Sequence, residues 1–315
     1  MDTDAPSPPE PLAPEADGPQ TALVTGANSG IGLALSKALA KRGWRVFLHG
    51  RDAEKLGRAK RKVSRLGDAR TFRADLADLE QVRRLADRVR EATGRLDALV
   101  NNAGAVISTC RLTPQRIETT MAVNAVAPWV LFDALRPLLE ATAEAHGEAR
   151  LVNVTSEAHR GGRFKPPEAS GEPDAEALAE ALREPPRGYS ALKAYSQSKL
   201  ALTAWTVEAA RRLEGTGVTA NAVHPGVVRT GVFSGLGGAG GFFATLFSVF
   251  YLPPGAGARG PLMLAADPEW RGRTGRFVTR GYVRGPREAV APKQARDPAW
   301  GAAAFEAMRT LAERE

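Results

Sequence analysis

Cysteine is almost absent: Cys110 is the only one in 315 residues. No intrachain disulfide can form, and no cysteine-based metal site. This suits a reducing compartment, so a cytoplasmic location is expected. Cys110 itself reads as a small packed or loop residue rather than a nucleophile. Long apolar runs are also missing. The longest, "GFFATLFSVFYL" at Gly241–Leu252, has 12 residues, against the ~20 a membrane-spanning helix needs. A soluble chain without a transmembrane segment is expected. The start, "MDTDAPSPPEPLAPEADGPQ", lacks the basic opening and apolar run of a signal peptide. Its prolines and acids read as a disordered tail over residues 1–19. No zinc-ligand spacing and no internal repeat occur. The formal charge of +8 reads as bases interleaved with acids, as in "RLADRVREATGRLD". No nucleic-acid partner is expected from that pattern.

What is present is alternation. β-rich runs, "TALVTG", "RVFLHG", "ARTFRAD", "LDALVNNAG", "ARLVNVTS" and "GVTANAVHPG", are separated by stretches of helical period. "GRFVTRG" reads as a seventh strand. Asp52 and Asp78 stand as helix N-caps, and a helical zone is expected over about 113–145. Strand–helix alternation predicts a single α/β domain of the Rossmann type: a doubly wound parallel sheet of about seven strands with helices on both faces. That domain is placed at residues 20–285. It contains an insertion at 157–190, with a short helix at about 174–183, and a glycine-hinged apolar segment at 231–254. Residues 286–315 read as a helical tail. Asp297 caps its helix, Pro298 opens it, and Trp300, Phe305, Met308 and Leu311 form its apolar face.

Between the first strand and first helix lies "TGANSGIG", with Gly26, Gly30 and Gly32. Small residues there let the backbone approach a pyrophosphate at a helix N-terminus. The second strand ends in "HGRD". Gly50 stands where NAD binders place an acid, and Arg51 comes next, suited by charge and fork geometry to a 2′-phosphate. Lys55 and Arg58 add positive field. NADP(H) is therefore expected over NAD(H). The competing reading of Arg51 is a solvated surface arginine. A second chemical signal is "GYSALKAYSQSK", where Tyr189 precedes Lys193 by four and Tyr195 precedes Lys199 by four. On a helix either pair sets a phenol beside an ammonium, which favours the phenolate.

Taken in order, these motifs resemble the short-chain dehydrogenase/reductase family over about residues 21–281. "TGANSGIG" looks like its nucleotide loop, with Asn28, Ser29 and Ile31 beside the three glycines. Asp75 and Leu76 in "FRADL" match the adenine contact. Asn102, Ala103 and Gly104 of "NNAG" match the motif closing strand four. Asn124 matches the helix asparagine and Ser156 the end of strand five. Pro225, Gly226, Val228 and Thr230 of "HPGVVRT" match the loop near the nicotinamide. "GANSGIG", "HGRD", "YSQSKLA" and "HPGVVRT" resemble the retinol dehydrogenase and protochlorophyllide reductase-like branch. In the family the lysine opens a helix of small apolar residues, as "SKLALTAWTVEAARRL" does after Lys199, so the resemblance selects Tyr195–Lys199. It implies Tyr195 as proton donor and acceptor. Lys199 would lower its pKa and hold ribose hydroxyls, Ser156 polarise the substrate oxygen, and Asn124 hold a relay water.

The expected function is an NADP(H)-dependent oxidoreductase interconverting an alcohol and a carbonyl in a small apolar substrate. The alternative is a non-catalytic NADP(H) sensor or scaffold. The 157–190 insertion is expected to border the substrate mouth, against a surface insertion. The 231–254 segment is expected to be a lid, against core packing or a peripheral membrane contact. A homo-oligomer through the long helices around Asn124 and Tyr195 is the expectation the resemblance carries.

Overall fold

The computed structural model describes residues 18–167, 171–183, 188–228, 252–280 and 285–313. The tail at 1–17, Thr230 and the segment at 231–251 lie outside the described residues. The chain runs β1 (Thr21–Val24), α1 (Gly30–Lys41), β2 (Arg45–Gly50), α2 (Ala53–Val63), β3 (Ala69–Arg73), α3 (Leu79–Ala92) and β4 (Ala98–Asn101). Next come α4 (Thr119–His146), β5 (Ala149–Val154), α5 (Ala175–Arg183), α6 (Ala191–Arg212) and β6 (Val218–His224). α7 (Arg259–Ala266), β7 (Phe277–Arg280), β8 (Pro286–Ala289) and α8 (Pro298–Glu313) close it. The sheet order is β3-β2-β1-β4-β5-β6-β7-β8.

The first seven strands pair in parallel, as the alternation predicts. The central strands β1, β4, β5 and β6 are buried on both faces, which is why they read as unbroken apolar runs. β8 adds an eighth strand to the sheet of about seven read from the sequence. It pairs antiparallel with β7, Phe277 opposite Ala289 and Arg280 opposite Pro286. The boundary drawn at residue 285 therefore falls inside one sheet. The connection out of β1 turns one way and that into β4 the other, so a crevice opens between the ends of β1 and β4.

Caps form where the sequence predicts them. Asp52 accepts from Lys55 N–H, Asp78 from Glu80 and Gln81 N–H, and Asp297 from Ala299 and Trp300 N–H. α4 starts later than expected, at Thr119 rather than near 113, because residues 112 and 118 pair as a β-bridge around a turn. α6 starts earlier than Tyr195, since the Ser190 hydroxyl caps it by accepting from Lys193 N–H. α4 is long and apolar enough by length and composition to cross a membrane. Here its apolar side packs on α3, α6 and α8 within the core.

The described part of the insertion packs against α8. Leu178, Ala179 and Leu182 of α5 are buried in the same cluster as Phe305, Met308 and Leu311 of α8. Phe164 is 2% exposed, and its ring lies 5.4 Å from that of Trp300. The Gln294 amide accepts from Phe164 N–H at 3.0 Å and donates to its carbonyl at 2.9 Å. α8 in turn lies on α6, with Arg212 stacked 4.1 Å from the Phe305 ring and paired with Glu208 and Glu306.

One buried histidine ties β2 to the glycine loop. Gly26 N–H donates to His49 Nδ1 at 3.4 Å, and His49 Nε2 lies 3.1 Å from the Ala74 carbonyl. A neutral ring protonated on Nε2 satisfies both. Burial lowers the His49 pKa from 6.5 to about 4. The unfolded chain then takes up this proton near pH 6.5 and the folded chain only near 4. The contribution is full above 6.5 and is lost as pH falls toward 4. Between pH 7 and 4.5, wild-type unfolding free energy is expected to drop by about 2–3 kcal/mol more than that of His49→Gln. Urea denaturation at the two pH values measures this; equal drops would show that the ring is not held neutral.

Candidate active site

Thr25, the last residue before the glycine loop, clasps two loops together. Its hydroxyl accepts from the N–H groups of Asn102 (2.9 Å) and Ala103 (3.0 Å), and its carbonyl accepts from Asn102 Nδ2 at 2.7 Å. Gly26 has φ +65°, and Gly30 has φ +54°, both in the left-handed region open to glycine. At Gly32 the constraint is space instead. A Cβ there would lie 2.4 Å from the Gly26 carbonyl and 2.6 Å from Asn102 Nδ2. Gly32 thus serves packing inside the loop rather than the surface of the crevice. Ser29 is the N-cap of α1 but makes no side-chain capping bond, leaving first-turn N–H groups aimed at the crevice.

Above the clasp lies a cavity of about 630 Å³. Its walls include Asn28, Ser29, Gly30, Ile31, Arg51 and Lys55 on one side. Asn102, Ala103, Gly104, Ser156, Tyr195 and Lys199 line the other, with Pro225, Gly226 and Val228 at the end. The sequence-predicted residues are therefore largely brought together, but four stand behind the wall. Gly32 and Leu76 are buried in the packing. Asp75 faces Arg51 at 3.5 Å and accepts from Ala77 N–H. Asn124 is fully buried; its amide accepts from Ala105 N–H and donates to the Ala105 carbonyl and the Ser198 hydroxyl. It sits in a π-helical turn, Ala122–Val126, where Pro128 has no N–H to give the Asn124 carbonyl.

The Tyr195 hydroxyl hydrogen-bonds Ser156, whose own oxygen accepts from Ala158 N–H. Lys199 Nζ donates to the Val154 carbonyl at 2.9 Å and stands 5.9 Å from the centre of the Tyr195 ring. Burial dominates both groups. It pushes the Tyr195 pKa up, against the Ser156 bond, and brings Lys199 from 10.5 down to about 7. The Tyr195 pKa is thus raised where the sequence predicts it lowered, because burial outweighs the hydrogen bond from Ser156. Tyr189 lies before α6, so its spacing from Lys193 has no helical meaning. Its hydroxyl donates to the Ile107 carbonyl at 2.8 Å, beside the Glu118 carboxylate. It thereby holds Ile107, which lines the cavity.

Several wall and support residues were not singled out from the sequence: Thr25, His49, Thr155 and His224. The first threonine stands in plain view in "TGANSGIG", and His224 in "HPG". His224 lines the cavity, and burial lowers its pKa. Arg58 is turned to Glu54 and does not face the cavity. No described residue between 157 and 190 lines the cavity; residues 168–170 and 184–187 of the insertion lie outside the described residues. Val228 and Leu252 pair as a parallel bridge, with Leu252 N–H donating to the Val227 carbonyl.

Comparison with known proteins agrees with this geometry. The short chain dehydrogenase family matches residues 20–166 and 186–237, and the gap falls on the α5 insertion. Retinol dehydrogenase 13 of Homo sapiens is 35% identical over 240 residues, covering 74% of this chain and 67% of its own length. The dehydrogenase/reductase SDR family member 13 of Bos taurus is 35% identical over 301 residues, 93% of this chain and 73% of its own. The solved Pseudomonas aeruginosa RhlG/NADP active-site complex superposes with a TM-score of 0.66 at 25% identity, over 87% of this chain and 98% of that one. Sheet order, clasped glycine loop, Ser156–Tyr195–Lys199 wall and these relatives together make the chain a member of the short-chain dehydrogenase/reductase family, in its retinol dehydrogenase-like branch.

Proposed function

We propose that this protein is an NADP(H)-dependent oxidoreductase that interconverts an alcohol and a carbonyl in a small apolar substrate, with Tyr195 as acid/base. The observation that carries the reading is the single cavity shared by the uncapped start of α1, Arg51 and the Ser156–Tyr195–Lys199 wall. The residues fit the cofactor. First-turn N–H groups of α1 suit a pyrophosphate. The Arg51 guanidinium is 75% exposed, with only Asp75 at 3.5 Å, and suits a 2′-phosphate. The nicotinamide supplies or accepts the hydride. Val106, Ile107, Val227 and Val228 give the remaining wall its apolar character, which supports an apolar substrate.

In reduction, Tyr195 donates its proton to the carbonyl oxygen while the Ser156 hydroxyl holds the same oxygen. In oxidation Tyr195 takes the proton back. Lys199, with a pKa near 7, is the neighbour able to exchange a proton near neutral pH. Asn124 acts as a positioning residue: it fixes Ala105 on the cavity wall and Ser198 next to Lys199.

Tyr195→Phe keeps ring and packing and is expected to lower kcat by about two to four orders of magnitude, with NADPH affinity nearly unchanged. Tyr189→Phe should leave kcat within a few-fold and move KM, since its hydroxyl only holds Ile107. Lys199→Met should lower both rate and cofactor affinity, and Lys193→Met neither. Steady-state assays following NADPH absorbance over a panel of apolar aldehydes and ketones measure all four. Full turnover in Tyr195→Phe would remove the mechanism, and no turnover by the wild type on any substrate would favour the sensor reading.

Arg51→Ala is expected to weaken NADPH about tenfold and NADH hardly at all, the lower end for a charge-assisted contact because the group is exposed. Fluorescence titration with both cofactors decides it. Equal losses would make Arg51 a surface arginine.

A further inference from the structure

The positive charge of this chain is not spread evenly. Residues 37–65 carry eleven Lys and Arg against two acids, a surplus of nine, while the whole chain carries a surplus of eight. Interleaving of charges therefore describes α3 but not α1 and α2. Five of the eleven have acidic partners: Arg42 with Asp267, Arg45 with Asp68, Arg51 with Asp75, Lys55 with Asp52 and Arg58 with Glu54. Four of the others converge on one cleft of about 400 Å³: Lys37 and Lys41 from α1, Lys62 and Arg65 from the end of α2. No acid lines it, and none of the four has an ion-pair partner among the described residues. Its floor is apolar, from Ala34, Ala38 and Leu66.

Helix dipoles explain part of this. Lys41 and Lys62 lie in the last turns of their helices, where a cation is favoured. Lys37 lies a turn earlier and Arg65 beyond the helix end, so neither is drawn there by a helix terminus. Four like charges around one hollow repel one another unless an anion enters. Three of them are lysines, whose compact ammonium groups suit phosphate oxygens as point charges. α1 begins at the cofactor cavity and runs roughly 18 Å to Lys41. The cleft thus opens at the far end of the sheet from the Tyr195 cavity. A membrane seated on the cleft would hold the apolar cavity away from the lipid, so a soluble ligand is favoured.

We propose that the cleft between the C-terminal halves of α1 and α2 is a second anion site, separate from the cofactor cavity, for a small soluble phosphorylated ligand with two or more negative charges. This does not rest on the oxidoreductase reading.

Isothermal titration calorimetry with inorganic pyrophosphate at low salt tests it, on the full chain with and without saturating NADPH. One equivalent is expected to bind even with NADPH present, and to weaken as salt rises. Lys37→Gln/Lys62→Gln should lower that affinity about tenfold or more, with circular dichroism and NADPH affinity unchanged. Arg51→Ala should leave it unchanged. Absence of binding, equal affinity in the double variant, or complete displacement by NADPH would each overturn the proposal. So would binding to phosphatidic acid vesicles without binding to pyrophosphate. If NADPH fails to bind, the oxidoreductase reading falls, while the comparison of wild type with the double variant still decides the cleft.

Discussion

The site depends on one close approach between two backbones. Thr25 commits its hydroxyl to two N–H groups of the loop after β4 and its carbonyl to the Asn102 side chain. At the same point Gly32 sits so near the Gly26 carbonyl that no side chain fits. The first turn of α1, the glycine loop and the loop after β4 therefore form one rigid corner. Every wall of the cavity is hung from that corner or from strands next to it. β5 brings Ser156 and β6 brings Pro225 and Gly226 by their register with β4 and with each other.

The second constraint is dryness. Lys199 and Tyr195 are both buried, at 3% and 7% exposure. Burial works against the charged form of each, so the pair rests with a neutral phenol and an ammonium that is easily relieved of its proton. A partner that brings charge or hydroxyls into the cavity acts on both groups at once. Asn124 keeps this arrangement from relaxing, because all of its amide contacts lead to Ala105 and Ser198.

Much of this is legible in the sequence. The parallel strands announce themselves as short apolar runs because they are buried on both faces. Asp52, Asp78 and Asp297 are legible as caps because capping is a local affair of three residues. Tyr195 is separable from Tyr189 through the family resemblance, in which the lysine opens a helix of small apolar residues, as it does after Lys199 and not after Lys193. β8 is not legible: "PREA" alternates nothing, its residues are half-buried or exposed, and it becomes a strand only because β7 offers an open edge. The seat of α5 is hidden for a related reason, since it is decided by residues far away in the chain. The cleft between α1 and α2 is hidden because counting charges over the whole length averages away their place.

The docking of α5 and Phe164 onto α8 ties two distant parts of the chain into one cooperative unit. The hydrophobic seat of Phe164 and α5 is built from Trp300, Phe305, Met308 and Leu311. Without α8, Phe164 and the apolar face of α5 lose the surface they lie against. α8 is in this sense the latch of the insertion, and its unfolding would uncover a helix more than a hundred positions upstream.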